Sequence, residues 1–352
     1  MKLGIFLPNA NNGFIISKAA PRYEPTAKHN LEITCLAESL GMEFVLSMVK
    51  YRGFGGEVGY WDGCLDSVAL TGALAQATSR IQLITTIGVL AVHPALAARA
   101  LATLDDISEG RVGLNVVAGW NMHEYAQMGL WRGKEHYEQR YQYAAEYMEI
   151  VHQLWRTGTA TFKGQFFDLT DCHCFPKPRH PIQVVCAGQS PAGMEFTAKY
   201  ADYNFTAAPP KGIASILSKT QAAADAAGRQ VGTLAYVIVI ARETDAEAEA
   251  VVQDITDNAD QEAIGNLLAS AALDTSKEGT SQRMIAGLNQ SARDGNLAFH
   301  SAPVLYGSYA SVAEQFDALA AMGLGGAMLV FPDYVPDLRS FGDNVMPRLT
   351  CR

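Results

Sequence analysis

Ile81-Gln82-Leu83-Ile84-Thr85-Thr86-Ile87-Gly88-Val89 is a short apolar, β-branched run. Pro94-Ala95-Leu96-Ala97-Ala98-Arg99-Ala100-Leu101-Ala102-Thr103-Leu104-Asp105-Asp106-Ile107 follows with helical composition, and Val112-Gly113-Leu114-Asn115-Val116-Val117 is a second strand-like run. Strand, helix, strand in that order implies parallel pairing and a right-handed crossover. The same alternation runs outward in both directions. Further strand candidates are Lys2–Leu7, Phe44–Met48, Ile182–Ala187, Tyr203–Thr206, Leu234–Ala241 and Gly326–Phe331. Helical runs stand at Thr26–Leu40, Ser67–Thr78, Tyr137–Trp155, Pro191–Tyr200 and Ser311–Met322. Roughly eight such units make an α/β chain that matches a (β/α)8 TIM barrel. A doubly wound open sheet competes, and counting strands does not separate the two.

Two stretches break the alternation and are expected as insertions in a single barrel domain spanning residues 1–352. Residues 158–180 carry aromatic, Gly and Pro residues and read as a hairpin or loop. Residues 257–301 are polar, weakly periodic and rich in small residues, which suits a lid or a partner-contact element.

The chain has 352 residues, 49% of them hydrophobic, and a net charge of −9. Its mean hydropathy of +0.02 argues against disorder, and its pI near 5.4 against a polyanionic partner. Nucleic acid and anionic membranes are therefore not expected. No apolar run reaches the ~18 residues of a membrane span, and the N-terminal run is too short for a signal-peptide core. Six sparse, irregular cysteines suit a reduced, cytoplasmic protein. Cys172-His173-Cys174 with His180 invites a metal site, but residues one apart on a strand face opposite ways, so no metal is expected.

Several motifs fail on spacing. Arg52-Gly53-Phe54-Gly55-Gly56-Glu57-Val58-Gly59 and Gly323-Leu324-Gly325-Gly326 do not fit a dinucleotide loop, and there is no P-loop, H-E-x-x-H or G-x-S-x-G. In a parallel barrel the strand ends form the active site. Here they read Asn9, Met48-Val49-Lys50, Thr86, Asn115, Gly188-Gln189-Ser190 and Asp333. Amides, hydroxyls and few free acid–base groups suit an organic cofactor that carries its own reactivity.

Ser190 at an N-cap with Pro191 at the first helical position makes either a phosphate site or an ordinary capped turn. Arg140 and Tyr141 suit a phosphate clamp; equally, Arg140 pairs with a nearby glutamate and Tyr141 packs on the barrel. His93-Pro94 reads as a helix cap before it reads as catalysis. Tyr51, Phe54 and Trp61-Asp62 form either a pocket wall or the core beneath a loop.

At these same residues the chain resembles the bacterial luciferase-like flavin monooxygenases, nearly end to end. The shared pattern is Thr78-Ser79-Arg80-Ile81, His93-Pro94, and Ala102-Thr103-Leu104-Asp105-Asp106-Ile107-Ser108-Glu109-Gly110-Arg111. Asn11-Asn12-Gly13, Leu46-Ser47-Met48-Val49-Lys50, Cys186-Ala187-Gly188-Gln189-Ser190 and Tyr200-Ala201-Asp202 are most similar to the pyrimidine monooxygenase branch, which opens the uracil ring. The resemblance implies a barrel that binds FMN, reduced by a separate NADH-dependent flavin reductase, with O2 as co-substrate. It implies Val49, Lys50, Asn115 and Glu124 along the flavin and Arg140, Tyr141 and Ser190 at its phosphate. It implies catalytic roles for Asn115 and Thr86 as donors and for Lys50 in polarising a carbonyl. The reaction implied is oxidative C–N cleavage of a pyrimidine-like or other nitrogen heterocycle, as in pyrimidine catabolism. His93-Pro94 also fits members that cleave C–S bonds of alkanesulfonates or sulfones, and a non-catalytic flavin-binding protein is the rival of another class. A homo-oligomer is expected, because this fold often pairs through barrel helices.

Overall fold

A computed structural model describes residues 1–207, 210–275, 285, 297–300 and 302–352. The first half runs β1 (Lys2–Phe6), α1 (Ala27–Ser39), β2 (Phe44–Leu46), α2 (Ser67–Ala77), β3 (Gln82–Gly88), α3 (Pro94–Ser108) and β4 (Val112–Val117). Next come α4 (Met122–Ala126), α5 (His136–Thr157), β5 (Thr159–Lys163), β6 (Asp168–His173), β7 (Gln183–Cys186), α6 (Pro191–Tyr200) and β8 (Tyr203–Thr206). The rest is α7 (Pro210–Ala226), β9 (Gly232–Arg242), α8 (Asp245–Asp257), α9 (Gln261–Ala272), β10 (Val304–Ser308), α10 (Tyr309–Ala321), β11 (Gly326–Val330) and α11 (Tyr334–Asn344).

Eight strands close into a parallel ring in the order β1-β2-β3-β4-β7-β8-β9-β11, with β11 returning to β1. These are the eight strand candidates of the sequence, each shifted by two residues or fewer at either end. The open-sheet alternative is excluded by the β8–β9 and β1–β11 pairings, which leave the ring no free edge. Strands such as β4 are buried almost throughout because the ring covers one face and the helices the other.

Three elements lie outside the ring. β5 and β6 form an antiparallel hairpin between α5 and β7, in the stretch expected as a hairpin or loop. β10 is a ninth parallel strand: β8 pairs with β9 only as far as Ala235, and β10 takes over β9 from Ile238 to Arg242. It satisfies backbone groups that would otherwise be unpaired on a long strand. Gln261–Ala272, inside the stretch expected to be weakly periodic, is a regular helix that buries Ala263, Ile264, Leu267 and Ala271. Residues 276–284, 286–296 and 301 of that stretch lie outside the described residues.

The family-like stretch from Ala102 to Arg111 does architectural work. Glu109 and Gly110 both take left-handed backbone (φ 54° and 86°) and end α3. The Ser108 hydroxyl accepts from the Arg111 and Val112 N–H groups and turns the chain into β4. The Arg111 guanidinium donates to Ala75, Thr78 and Ile81 carbonyls and so ties α2 to β3. Asp105, 1% exposed, accepts from the Arg179 N–H at 2.6 Å, the His180 N–H at 3.2 Å and the His180 ring at 3.1 Å. It anchors the return from the hairpin to β7. Among the described residues no helix is long and apolar enough to cross a membrane, and no group of three metal-ligating side chains forms.

Removing the Asp105 carboxylate leaves those donors facing an apolar side chain. Asp105→Ala is expected to cost about 2–3 kcal/mol in urea denaturation, with Asp105→Asn losing less. A loss within about 0.5 kcal/mol, typical of an inert surface position, contradicts the anchor.

Candidate active site

β2, β3, β4 and β7 are neighbours, so their C-terminal ends form one continuous arc of the rim. Asn9, just past β1, fixes the start of that arc. Its side chain accepts from the Met48 N–H at 2.9 Å and donates to the Met48 carbonyl at 2.8 Å. This reciprocal pair sets the chain direction for Val49, which is part-exposed, and Lys50, which is buried.

Lys50 forms a buried ion pair with Glu124, from the short helix α4. The second Glu124 oxygen accepts from the Tyr51 N–H at 3.2 Å. The Lys50 ammonium stands 4.3 Å from the ring centre of Phe54, 5.3 Å from Trp120 and 5.4 Å from Trp61. A lysine so paired and ringed keeps its charge out of water by cation–π and ionic contact together. Phe54 and Trp61 therefore form a wall at Lys50, and they also pack on the loop core through Tyr60, stacked 4.6 Å from Trp61. An open cleft of about 560 Å³ adjoins this wall between the β2–α2 loop, α4 and α9. Arg52, Phe54, Asp62, Asn121, His123 and Asn266 line it.

Asn115 and Thr86 meet on the next two strands. The Asn115 amide donates to the Thr86 hydroxyl at 3.0 Å, which donates onward to the Ser47 carbonyl at 2.6 Å. The donors expected from the sequence are thus engaged with each other. What remains is an acceptor: Asn115 Oδ1 is buried with no partner among the described residues.

At the far end of the arc Ser190 is an N-cap, accepting from the Gly193 N–H at 3.1 Å, with Pro191 at the first helical position. Tyr141 lies against this first turn: a Cβ on Gly193 would come within 2.7 Å of its hydroxyl, so only glycine admits it. Arg140 is 3% exposed and donates to Asp274 at 2.7 Å. Its partner is thus an aspartate past α9, where the alternative to a phosphate clamp was a nearby glutamate. Its second terminal nitrogen, Nη2, is buried with no partner among the described residues. His93 caps α3 by accepting from the Ala95 N–H, so the His-Pro pair has a structural job.

The structure therefore brings Val49, Lys50 and Glu124 together, Asn115 and Thr86 together, and Tyr141 against the Ser190 turn beside Arg140. Three residues at this rim had no assigned role. Gln189 donates to the Phe205 carbonyl, and its own buried carbonyl has no partner among the described residues. Asp274 holds Arg140. His300 sits edge-on to Trp61 at 5.1 Å in left-handed backbone (φ 49°), its carbonyl bonded by the Tyr236 hydroxyl and its Nε2 without a partner among the described residues. Burial, and then the Lys50 charge, pull its imidazole down to about 4. Only Gln189 had a signal in the sequence, from its place in a strand-end turn.

A buried polar atom without a partner costs about 1–3 kcal/mol. Asn115 Oδ1, Gln189 Oε1, Arg140 Nη2 and His300 Nε2 all lie at this rim. They offer acceptors at the ends of β4 and β7, a ring nitrogen beside Trp61, and a cationic donor next to Tyr141, which lies against the first turn of α6. That donor set fits a planar, hydrogen-bonding ring system with a phosphate tail, which is the chemistry of a flavin mononucleotide.

Comparison with known proteins shows the family and the fold. The family model for luciferase-like monooxygenases matches residues 1–325. The pyrimidine monooxygenase RutA of Rhizobium rhizogenes strain K84 is 43% identical over 358 residues, covering 100% of this chain and 97% of that protein. Among solved structures, riboflavin lyase RcaE superposes with a TM-score of 0.85 at 20% identity, covering 99% of this chain and 90% of that one. The long-chain alkane monooxygenase LadA gives 0.81 at 21% identity, with 99% and 90% covered. With the family model matched over most of its length and a curated relative aligned end to end, the chain belongs to the luciferase-like monooxygenases, flavin-dependent enzymes on a TIM barrel.

Proposed function

We propose that the protein is an FMN-dependent, two-component monooxygenase that opens a pyrimidine-like ring by oxidative C–N cleavage. A separate NADH-dependent reductase supplies reduced FMN, and O2 is the co-substrate. The observation that carries the substrate class is the 43% identity, without large gaps in coverage, to a protein named for pyrimidine oxygenation. The six cysteines, all free thiols, support a cytoplasmic location. The reading takes residues 1–352 as one barrel domain with insertions at about 158–180 and 257–301. It includes a homo-oligomer, supported by the exposed Leu96 of α3 and the exposed Phe175, whose carbonyl accepts from Arg99 of the same helix.

When bound, reduced flavin supplies the electrons that activate O2. The chain's own part is binding, orientation and exclusion of water. Val49, Lys50, Glu124 and the Phe54–Trp61–Trp120 wall would flank the ring system. Because Glu124 already compensates Lys50, this end suits an uncharged heterocycle; the ammonium can still polarise a ring carbonyl, which makes the attacked carbon more electrophilic. Asn115 Oδ1 would accept from a ring N–H, of flavin or substrate, and the bond to Thr86 holds the amide in that sense. Arg140 Nη2, the Tyr141 hydroxyl and the turn at Ser190 would hold the phosphate.

Turnover with FMN, NADH, a reductase and 18O2 is expected to place label in a ring-opened product of uracil, thymine or barbiturate. Sulfite released from an alkanesulfonate with no heterocycle consumed, or NADH oxidation with no product, overturns the reading. Asn115→Ala is expected to lower the oxygenation kcat about 100-fold; full substrate-dependent oxygenation in this variant contradicts its role.

His300 adds a pH signature. The unfolded chain protonates this ring near its ordinary 6.5, while the folded chain resists until about 4. Stability from this site is therefore complete above 6.5 and lost as pH falls from there toward 4. Thermal melting of His300→Phe should fall less than wild type across that window. An equal fall contradicts the neutral imidazole.

A further inference from the structure

Asp274 has no part in the function described so far, yet it is the most fully buried acid at the site. It is 0% exposed, one hydrogen bond from Arg140, and 134 residues away from it in the chain. The pair is electrically neutral: one guanidinium, one carboxylate. Arg140 comes from α5 and cannot leave the interior, so without an anion its charge would be buried unpaired, which is severely destabilising. Asp274 removes that penalty in the flavin-free protein. A phosphate reaching Nη2 then meets a cation already compensated, with a fixed negative charge a few ångströms behind it.

We propose that Asp274 is a resident anion at the phosphate end of the site, holding Arg140 when flavin is absent and weakening phosphate binding when flavin arrives. This rests on the reading that places the FMN phosphate at Arg140. The hydroxyl of Tyr137, one turn before Arg140, supports the geometry. It is buried with no partner among the described residues, and burial and then the Asp274 charge push it up to about 12, against the lowering effect of Arg140. The opposite end of the same strap is fixed as well. Asn266 of α9 donates to the Phe54 carbonyl at 2.8 Å, and Asp260, its N-cap, accepts from the Val58 N–H at 2.8 Å. α9 thus bridges the loop that carries Lys50 and the arginine at the phosphate end. A chain that receives reduced flavin from another protein must release it again, and a built-in competitor keeps the binding exchangeable.

The test is flavin fluorescence titration of wild type and Asp274→Asn with both FMN and riboflavin, which lacks the phosphate, alongside melting of the flavin-free proteins. Wild type is expected to prefer FMN. Asp274→Asn is expected to bind FMN about tenfold tighter, to leave riboflavin unchanged, and to lower the flavin-free melting temperature by about 2–5 °C. Asp274→Glu, which keeps the charge, should not tighten FMN; Asp274→Ser serves as the neutral variant should the amide fail to fold. Unchanged FMN affinity, or weaker FMN binding at constant riboflavin affinity, overturns the competitor role. Equal shifts in both flavins mark a purely structural residue and overturn it too. A wild type with no preference for FMN over riboflavin removes the phosphate reading itself, and the proposal with it.

Discussion

Closure of eight parallel strands by the β8–β9 and β1–β11 pairings is the constraint on which the site depends. A parallel ring has no edge to protect and sends every strand out at the same rim. Residues far apart in the chain then meet as a matter of topology. Lys50 leaves β2, Glu124 follows β4, and the two form a buried ion pair across 74 positions. Asn115 and Thr86 are opposed in register on β4 and β3, which is why their side chains can bond. The reciprocal Asn9–Met48 bonds then decide where, along that rim, the Lys50 segment turns.

The rim is costly to the protein as it stands. Lys50 pairs with Glu124 and Arg140 with Asp274, while several buried polar atoms have no partner among the described residues. Some of these, such as Asn30 Oδ1 in α1 and Tyr147 Oη in α5, lie in the helix layer. Asn115 Oδ1, Gln189 Oε1, Arg140 Nη2 and His300 Nε2 belong to strand ends and the segments that cover them. A ring with N–H and carbonyl edges, plus a phosphate, would satisfy that same set of atoms. Stability and affinity are linked through these atoms, and any stabilising substitution there trades one against the other.

Much of the architecture is legible in the sequence alone. The barrel strands are apolar runs buried on both faces, and that pattern survives in sequences such as Val112–Val117. β10 was hidden because Val304-Leu305-Tyr306-Gly307-Ser308 is short, contains glycine, and alternates in burial where it overhangs the ring. α9 was hidden because alanine, glycine, asparagine and serine dilute its apolar stripe, although Ile264 and Leu267 carry it. The site was legible at strand ends and helix caps, where local rules operate: Ser190, Pro191 and His93 do what capping chemistry requires of them. It was illegible wherever the partner is distant. Arg140 looked for an acid nearby and found Asp274; Asn115 looked like a donor until Thr86 used its amide. His300 sits at the close of a polar stretch with no period, and only the packing of Trp61 and Tyr236 against it reveals a place at the rim.

The proposed flavin lies along the β2–β3–β4–β7 arc, with its ring at Lys50 and Asn115 and its phosphate at Arg140 and the Ser190 turn. A crystal structure of the FMN complex measures this directly. Electron density for the isoalloxazine is expected between Asn115 and Lys50, with the phosphate within hydrogen-bonding distance of Arg140 Nη2 and the Tyr141 hydroxyl. Density for the ring in the outer cleft beside Asn266 and His123, or a phosphate away from Arg140, would contradict it.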